Sequence, residues 1–346
     1  METLWFVLVA LMLIAYVVLD GFDLGAGALH LLAARTDEER RTILQSIGPV
    51  WDGNEVWLLA AGGTLFYAFP LLYASSFSGF YLALNIVLWL LFGRALGIEL
   101  RMHLANPLWR AFFDAAFSAA SILLIVFFGA ALGNVIRGVP LGPDHYFFVP
   151  LWTNFLPGAK PGILDWYTIC CAVATLAAVA LHGALYVILK SEGDLNRRLR
   201  GIVHVLWPAV AVLSSIALAA TIAIRPELLD NYRAQPVGWT IPALAALGLL
   251  GIFWFTRAAR EREAFLASCL YIVATLGGAA FALYPTLLPS SDVAANSITI
   301  ANAAAAPESL SIGLIWWSIG MAIAIGYFVI VYTMFKGKVQ LHHGAH

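Results

Sequence analysis

The residues able to do chemistry crowd into the first hundred positions. The run DGFDLGAG (20–27) sets Asp20 and Asp23 three residues apart, which puts both on one face of a helix. The run GPVWDGNEVWL (48–58) repeats that spacing with Asp52 and Glu55 and flanks them with Trp51 and Trp57. Arg94 and Glu99 complete the set, and no charged residue lies between Val56 and Gly93. Carboxylates embedded in apolar sequence can hold protons and pass them along a water chain. They can also pair with a guanidinium or cap a helix, and Asp52 is placed to cap the second span. A lipid-facing acid costs about 3 kcal/mol, so four of them would cost roughly 12 kcal/mol. They must therefore face protein or water.

The elements that carry them are membrane spans. Of 346 residues, 62% are hydrophobic and 11% charged, against roughly 25% charged in soluble domains. The apolar residues fall into blocks long enough to cross a bilayer. The expected fold is all-α and polytopic, with about nine transmembrane helices at 4–34, 55–73, 77–103, 115–136, 166–189, 202–224, 238–256, 264–287 and 310–335. The second and third form a hairpin turning at Pro70 and Ser75, Ser76 and Ser78. Two four-helix bundles plus one peripheral helix accommodate this count. The chain is expected to be one integral membrane domain: 1–137 with the acids, an ordered outer-face loop at 138–162, five further spans over 163–335, and a tail at 336–346. Residues 289–309 suit a short interfacial helix.

Loops after odd-numbered spans, with the tail, hold 15 of the 19 Lys and Arg residues. The positive-inside rule then places the N-terminus outside and the C-terminus in the cytoplasm. No basic residue precedes Arg35, so the first span is expected to stay in the membrane. At about 1.5 Å per residue, Asp20 lies in the cytoplasmic half of its span. Asp52 and Glu55 mark the cytoplasmic start of the second span, and Arg94 and Glu99 the cytoplasmic end of the third. Three helices thus bring these acids and one guanidinium to a common depth. Carboxylates gathered there repel one another as anions and share protons.

Other signals are weaker. The near-neutral formal charge of −1 excludes nucleic acid as a partner. Cys170, Cys171 and Cys269 have no metal-type spacing. His182 and His204 read as core histidines before ligands, and His342, His343 and His346 as a solvated tail. Trp57 suits core packing or the wall of a path to a buried site.

Five stretches carry a resemblance: DGFDLGAG, GPVWDGNEVWL, SGFYLAL (78–84), RALGIELR (94–101) and GNVIRGVP (133–140). In order and spacing they resemble subunit II of the cytochrome bd-type quinol oxidases. They cover the first four spans; the second half matches in length, span count and topology, and its compactness is similar to the cyanide-insensitive branch. The resemblance implies a bacterial plasma-membrane complex that oxidises quinol and reduces oxygen to water. It implies a partner, subunit I, bearing haem b and haem d or haem b alone. This chain would ligate no haem or metal and would not be catalytic by itself. Lipids, a structural quinone and small single-span subunits are further implied partners. Asp20, Asp23, Asp52 and Glu99 match acidic positions associated with proton delivery, and Trp57 matches a tryptophan beside a proposed oxygen route. Glu55 stands where many members have Gln, and Glu99 where some have Asp. The competing expectation is a proton-coupled transporter. Such proteins repeat their interrupted spans in matching halves, whereas here the acids lie in the first three spans only.

Overall fold

The computed structural model describes residues 1–340; the tail histidines 342, 343 and 346 lie outside the described residues. The chain is helical apart from loops and one two-stranded antiparallel sheet, β1 (Thr286–Leu288) with β2 (Ile298–Thr299). Its helices are α1 (Glu2–Ala33), α2 (Asp37–Ile47), α3 (Trp51–Ala68), α4 (Pro70–Gly79), α5 (Tyr81–Leu100), α6 (Pro107–Arg137), α7 (Trp166–Lys190), α8 (Gly193–Ile224), α9 (Asp230–Ala234), α10 (Thr240–Arg257), α11 (Glu261–Leu283), α12 (Ile300–Ala303) and α13 (Pro307–Met334). Among the described residues eight helices are long and apolar enough to cross a membrane: α1, α5, α6, α7, α8, α10, α11 and α13.

The remaining expected span is split. Proline cannot supply the amide that would continue α3, so the helix stops at Ala68 and restarts at Pro70 as α4. The turn into α5 falls at Phe80, beyond the serines expected to form it. The span expected to end at Leu287 also stops early, at Leu283, where the chain leaves for β1.

Helix α2 was not anticipated, although its signature is in the sequence. Thr36 and Glu39 form a reciprocal capping box. Its apolar residues Ile43, Leu44 and Ile47 are buried while Asp37 and Glu38 stay outside. Helix α6 begins earlier than its apolar run, because Asn106 accepts from the amides of Leu108 and Trp109 and Pro107 opens the first turn. This brings Arg110 and Asp114 into the helix.

Helix α1 is central, packing against α3, α6, α7 and α11. Its approach to α7 depends on glycine: a Cβ on Gly25 would lie 2.1 Å from the Val179 carbonyl oxygen, and one on Gly183 would lie 2.3 Å from the Gly25 carbonyl carbon. Around this crossing the core gathers Phe22, Leu29, Leu181, Leu185 and Tyr186. Phe22 stacks on Tyr186 at 3.8 Å between ring centroids. Segment 138–162 forms an irregular cap tied to the β1–β2 region: Val139 N–H donates to the Pro289 carbonyl at 3.1 Å, and Asn296 donates to the Leu141 carbonyl at 2.9 Å. The expected short helix of 289–309 is α12. At the opposite end Lys338 donates to the Ile188 and Ser191 carbonyls and pairs with Glu261.

Candidate proton site

Arg94 of α5 and Asp20 of α1 are both fully buried. The guanidinium grips the carboxylate with two hydrogen bonds, one of them 2.7 Å from Nη1 to Oδ2. This fork-to-fork geometry is the strong form of the pair. Asp23, one helical turn further along the same face, has Oδ2 4.0 Å from Arg94 Nη2. Glu55 of α3 brings Oε2 within 3.6 Å of Arg94 Nη1, and its side chain keeps 22% exposure. Trp51 lies beside the guanidinium, its ring centre 5.9 Å from Cζ. Three carboxylates therefore share one cation.

Asn54 and Tyr332 complete the group and were not singled out from the sequence. Asn54 donates to Asp23 Oδ2 at 2.8 Å and to the Leu19 carbonyl at 3.2 Å. Its amide oxygen accepts from the Tyr332 hydroxyl at 2.9 Å, linking α13 to the cluster. Asn54 sits between Asp52 and Glu55, where a neutral amide draws no attention beside two acids. Asp23 Oδ1, Glu55 Oε2 and Arg94 Nε are buried with no hydrogen-bond partner among the described residues.

Of the five acids expected to gather, three meet at Arg94. Asp52 lies in the first turn of α3 with its side chain exposed; it is in no ion pair among the described residues and is not the cap, since Val50 holds that position. Glu99 is also exposed and unpaired among those residues. The reason is angular: five residues past Arg94 is about 140° around a helix, so the two side chains leave α5 on different faces. Trp57 packs against Phe328 of α13, with ring centroids 5.6 Å apart.

A second network, buried at His30, Arg101 and Asp114 and absent from the sequence expectations, lies at the end of α1 nearer α2. Asp114 of α6 accepts from Arg101 Nε at 2.5 Å and Arg40 Nη1 at 3.1 Å, and pairs with His30 Nε2 at 2.6 Å. Arg101 also donates to Asp37 at 2.7 Å, and Arg110 joins Asp37 at 3.2 Å. Nearby, Glu39 pairs with Arg198 and accepts from the amides of Arg35 and Thr36. Burial alone would raise the Glu39 pKa; these donors outweigh it and hold the carboxyl below its ordinary value. At the far end of α6, Arg137 pairs with Asp165, the N-cap of α7, and donates to Asn134 at 2.6 Å.

His182 does not fit an axial haem ligand. Nδ1 is 2.7 Å from Ser268 Oγ and Nε2 is 2.9 Å from the Val18 carbonyl, so both ring nitrogens are engaged. His204 is exposed on α8. Among the described residues no group of three His, Cys, Asp or Glu side chains gathers as a metal site, and the three cysteines are free thiols. Helices α7, α8, α10 and α11 bury no carboxylate within their spans.

Residues 1–335 match the family model of cytochrome bd terminal oxidase subunit II. The chain is 32% identical over 362 residues to a probable cytochrome oxidase subunit 2 of Haemophilus influenzae, covering 97% of this chain and 94% of that one. It is 30% identical to cytochrome bd-I ubiquinol oxidase subunit 2 of Escherichia coli K12, covering 95% and 91%. Against cytochrome bd ubiquinol oxidase subunit 2 of Bacillus subtilis the figure is 27%, covering 98% and 97%. The fold is similar to a chain of the bd oxidase from Geobacillus thermodenitrificans, with a TM-score of 0.73 at 17% identity over 96% of this chain and 98% of that one. With residues 1–335 matching the family model and relatives 30–32% identical over nearly all of the chain, the chain belongs to the cytochrome bd terminal oxidase subunit II family.

Proposed function

We propose that this chain serves a quinol-oxidising terminal oxidase by bracing a haem-bearing subunit I and conducting protons to it from the cytoplasm. The overall reaction oxidises two quinols to quinones and reduces one oxygen molecule to two waters. In this reading haem b, with or without haem d, belongs to the partner and supplies the electron-transfer chemistry. This chain's own residues hold and move protons.

The observation that carries the reading is the charge imbalance around Arg94. Asp20, Asp23 and Glu55 together exceed the cation by two charges if all are ionised. Excess buried charge is costly, and taking up a proton relieves it. Exposed Asp52 collects protons at the first turn of α3, and half-buried Glu55 carries them one turn inward. Asp23 and Asp20 receive them beside Arg94. Exposed Glu99 is a second surface acid feeding the cluster, and Trp57 lines its margin. The N-terminus lies outside and the C-terminus in the cytoplasm. Residues 1–137 form the proton-handling part of the single membrane domain, and lipid, quinone or single-span subunits cover its exposed faces.

Asp23→Asn in the assembled complex tests this. Oxygen consumption should fall on the order of tenfold or more with the haem spectrum intact, and Asp52→Asn should have a smaller effect. Unchanged turnover in Asp23→Asn would remove the residue from the path, and loss of haem would make the cluster an assembly element.

A further inference from the structure

A cleft between α8 and α10 takes no part in either polar network. It has a volume of about 220 Å³ and is lined by Val203, His204, Trp207, Pro208, Phe253 and Arg257, with Ile252 and Thr256 behind them. Its polar residues lie on the side of the cleft nearer the start of α8 and the end of α10. His204 is three turns into α8, and Arg257 is the last residue of α10. Its floor is apolar and is closed by Trp207 Nε1 donating to the Leu249 carbonyl at 2.7 Å. The cleft therefore straddles the level where the Lys/Arg-rich loops meet the apolar spans.

Arg257 differs from several of the cations around it. Arg197, Arg200 and Arg260 each pair with a carboxylate: Asp194, Glu261 and Glu263. Arg257 has no such partner among the described residues. Its guanidinium instead lies 3.9 Å from the centre of the Phe253 ring, a wall of the cleft. A cation–π contact of this kind orients the group while leaving its N–H donors free. Two further polar groups lie here. Pro208 has no amide, so the His204 carbonyl loses its helical hydrogen bond. Thr256 Oγ1 is buried with no partner among the described residues.

We propose that this cleft binds an anionic phospholipid of the leaflet that faces the Lys/Arg-rich loops. The phosphodiester sits against Arg257 and His204, the headgroup lies toward the His204 carbonyl, and one acyl chain runs along Trp207, Pro208 and Phe253. At about 220 Å³ the cleft takes part of a lipid rather than the whole molecule. Charge complementarity selects an anionic lipid over a zwitterionic one. Arg257 is free to meet the phosphate, and no carboxylate lines the cleft.

The test uses the assembled complex in nanodiscs of phosphatidylcholine doped with phosphatidylglycerol, with retained lipid counted by native mass spectrometry. Wild type should retain phosphatidylglycerol selectively. Arg257→Gln should weaken retention about fivefold, the value of one basic side chain near an anionic surface, and Arg257→Lys should restore most of it. Arg262→Gln makes the same charge change off the cleft and should leave retention unchanged. Equal losses in Arg257→Gln and Arg262→Gln would reduce the effect to general surface charge and overturn the site, as would full retention in Arg257→Gln. Displacement by millimolar inorganic phosphate, with no selectivity for phosphatidylglycerol, would reassign the cleft to a free anion and overturn the lipid assignment.

Discussion

The two buried polar networks on α1 are built from the same residue types and do opposite things with charge. Around Arg94, Asp20, Asp23 and Glu55 share one guanidinium and leave polar atoms unpartnered. Around Asp114, two carboxylates meet three guanidinium groups, from Arg40, Arg101 and Arg110, and His30. The first network is short of cations and the second has a surplus of them. A surplus of buried acid can be relieved by protons, which come and go. A carboxylate held by two guanidinium groups and a histidine has no use for another proton. The comparison sets the proposed proton-exchanging site apart from a clamp that joins α1, α2, α5 and α6.

The largest way to break the comparison is to remove the lone cation. Arg94→Met leaves buried Asp20 and Asp23 and half-buried Glu55 uncompensated and should destabilise by about 3–5 kcal/mol. The assembled complex should be nearly absent from membranes on a blot. Adding Asp20→Asn should restore part of it; no rescue would mean that Arg94 acts through packing. Next, Asp114→Asn should cost about 3 kcal/mol in thermal stability, because Arg101 and Arg40 lose their shared anion. Turnover per haem and its pH profile should not change in the surviving complex. A shifted pH profile would make the second network part of the proton path.

Glu55→Gln sharpens the contrast more gently. It removes one surplus charge at constant size, so stability should hold or rise by up to about 1 kcal/mol. The pH dependence of oxygen consumption should shift, and an unchanged profile would take Glu55 out of proton exchange. The smallest effect belongs to Glu39, beside the clamp. Its carboxyl is held below the ordinary value when folded, so its contribution is complete above the usual carboxylate range and is lost as pH falls through the lower folded value. The difference in thermal midpoint between wild type and Glu39→Gln should therefore close on acidification. A constant gap would show that hydrogen bonding, not ionisation, is what Glu39 supplies.

The membrane architecture was legible because apolar runs impose it. Interior backbone must be satisfied within each span, and hydropathy reports where this happens. The shared face of Asp20 and Asp23 was also legible, since i, i+3 spacing sets it, and so was their need for a cation. Glu99 was grouped with those acids from its place along α5, without its direction around the helix, which leaves it exposed. Asp52 was placed by sequence proximity to Glu55, and one turn of α3 was enough to leave it at the surface.

By itself the sequence determined the membrane class, the family motifs and the need for the embedded acids to find polar company. Those follow from local composition and helical period, which act over a few residues. Only the tertiary structure decided which acids meet. Asp114 and His30 are 84 positions apart, and Tyr332 reaches Asn54 across 278. Such contacts depend on helix crossings such as Gly25 against Gly183, and no single stretch of chain contains both sides of a crossing.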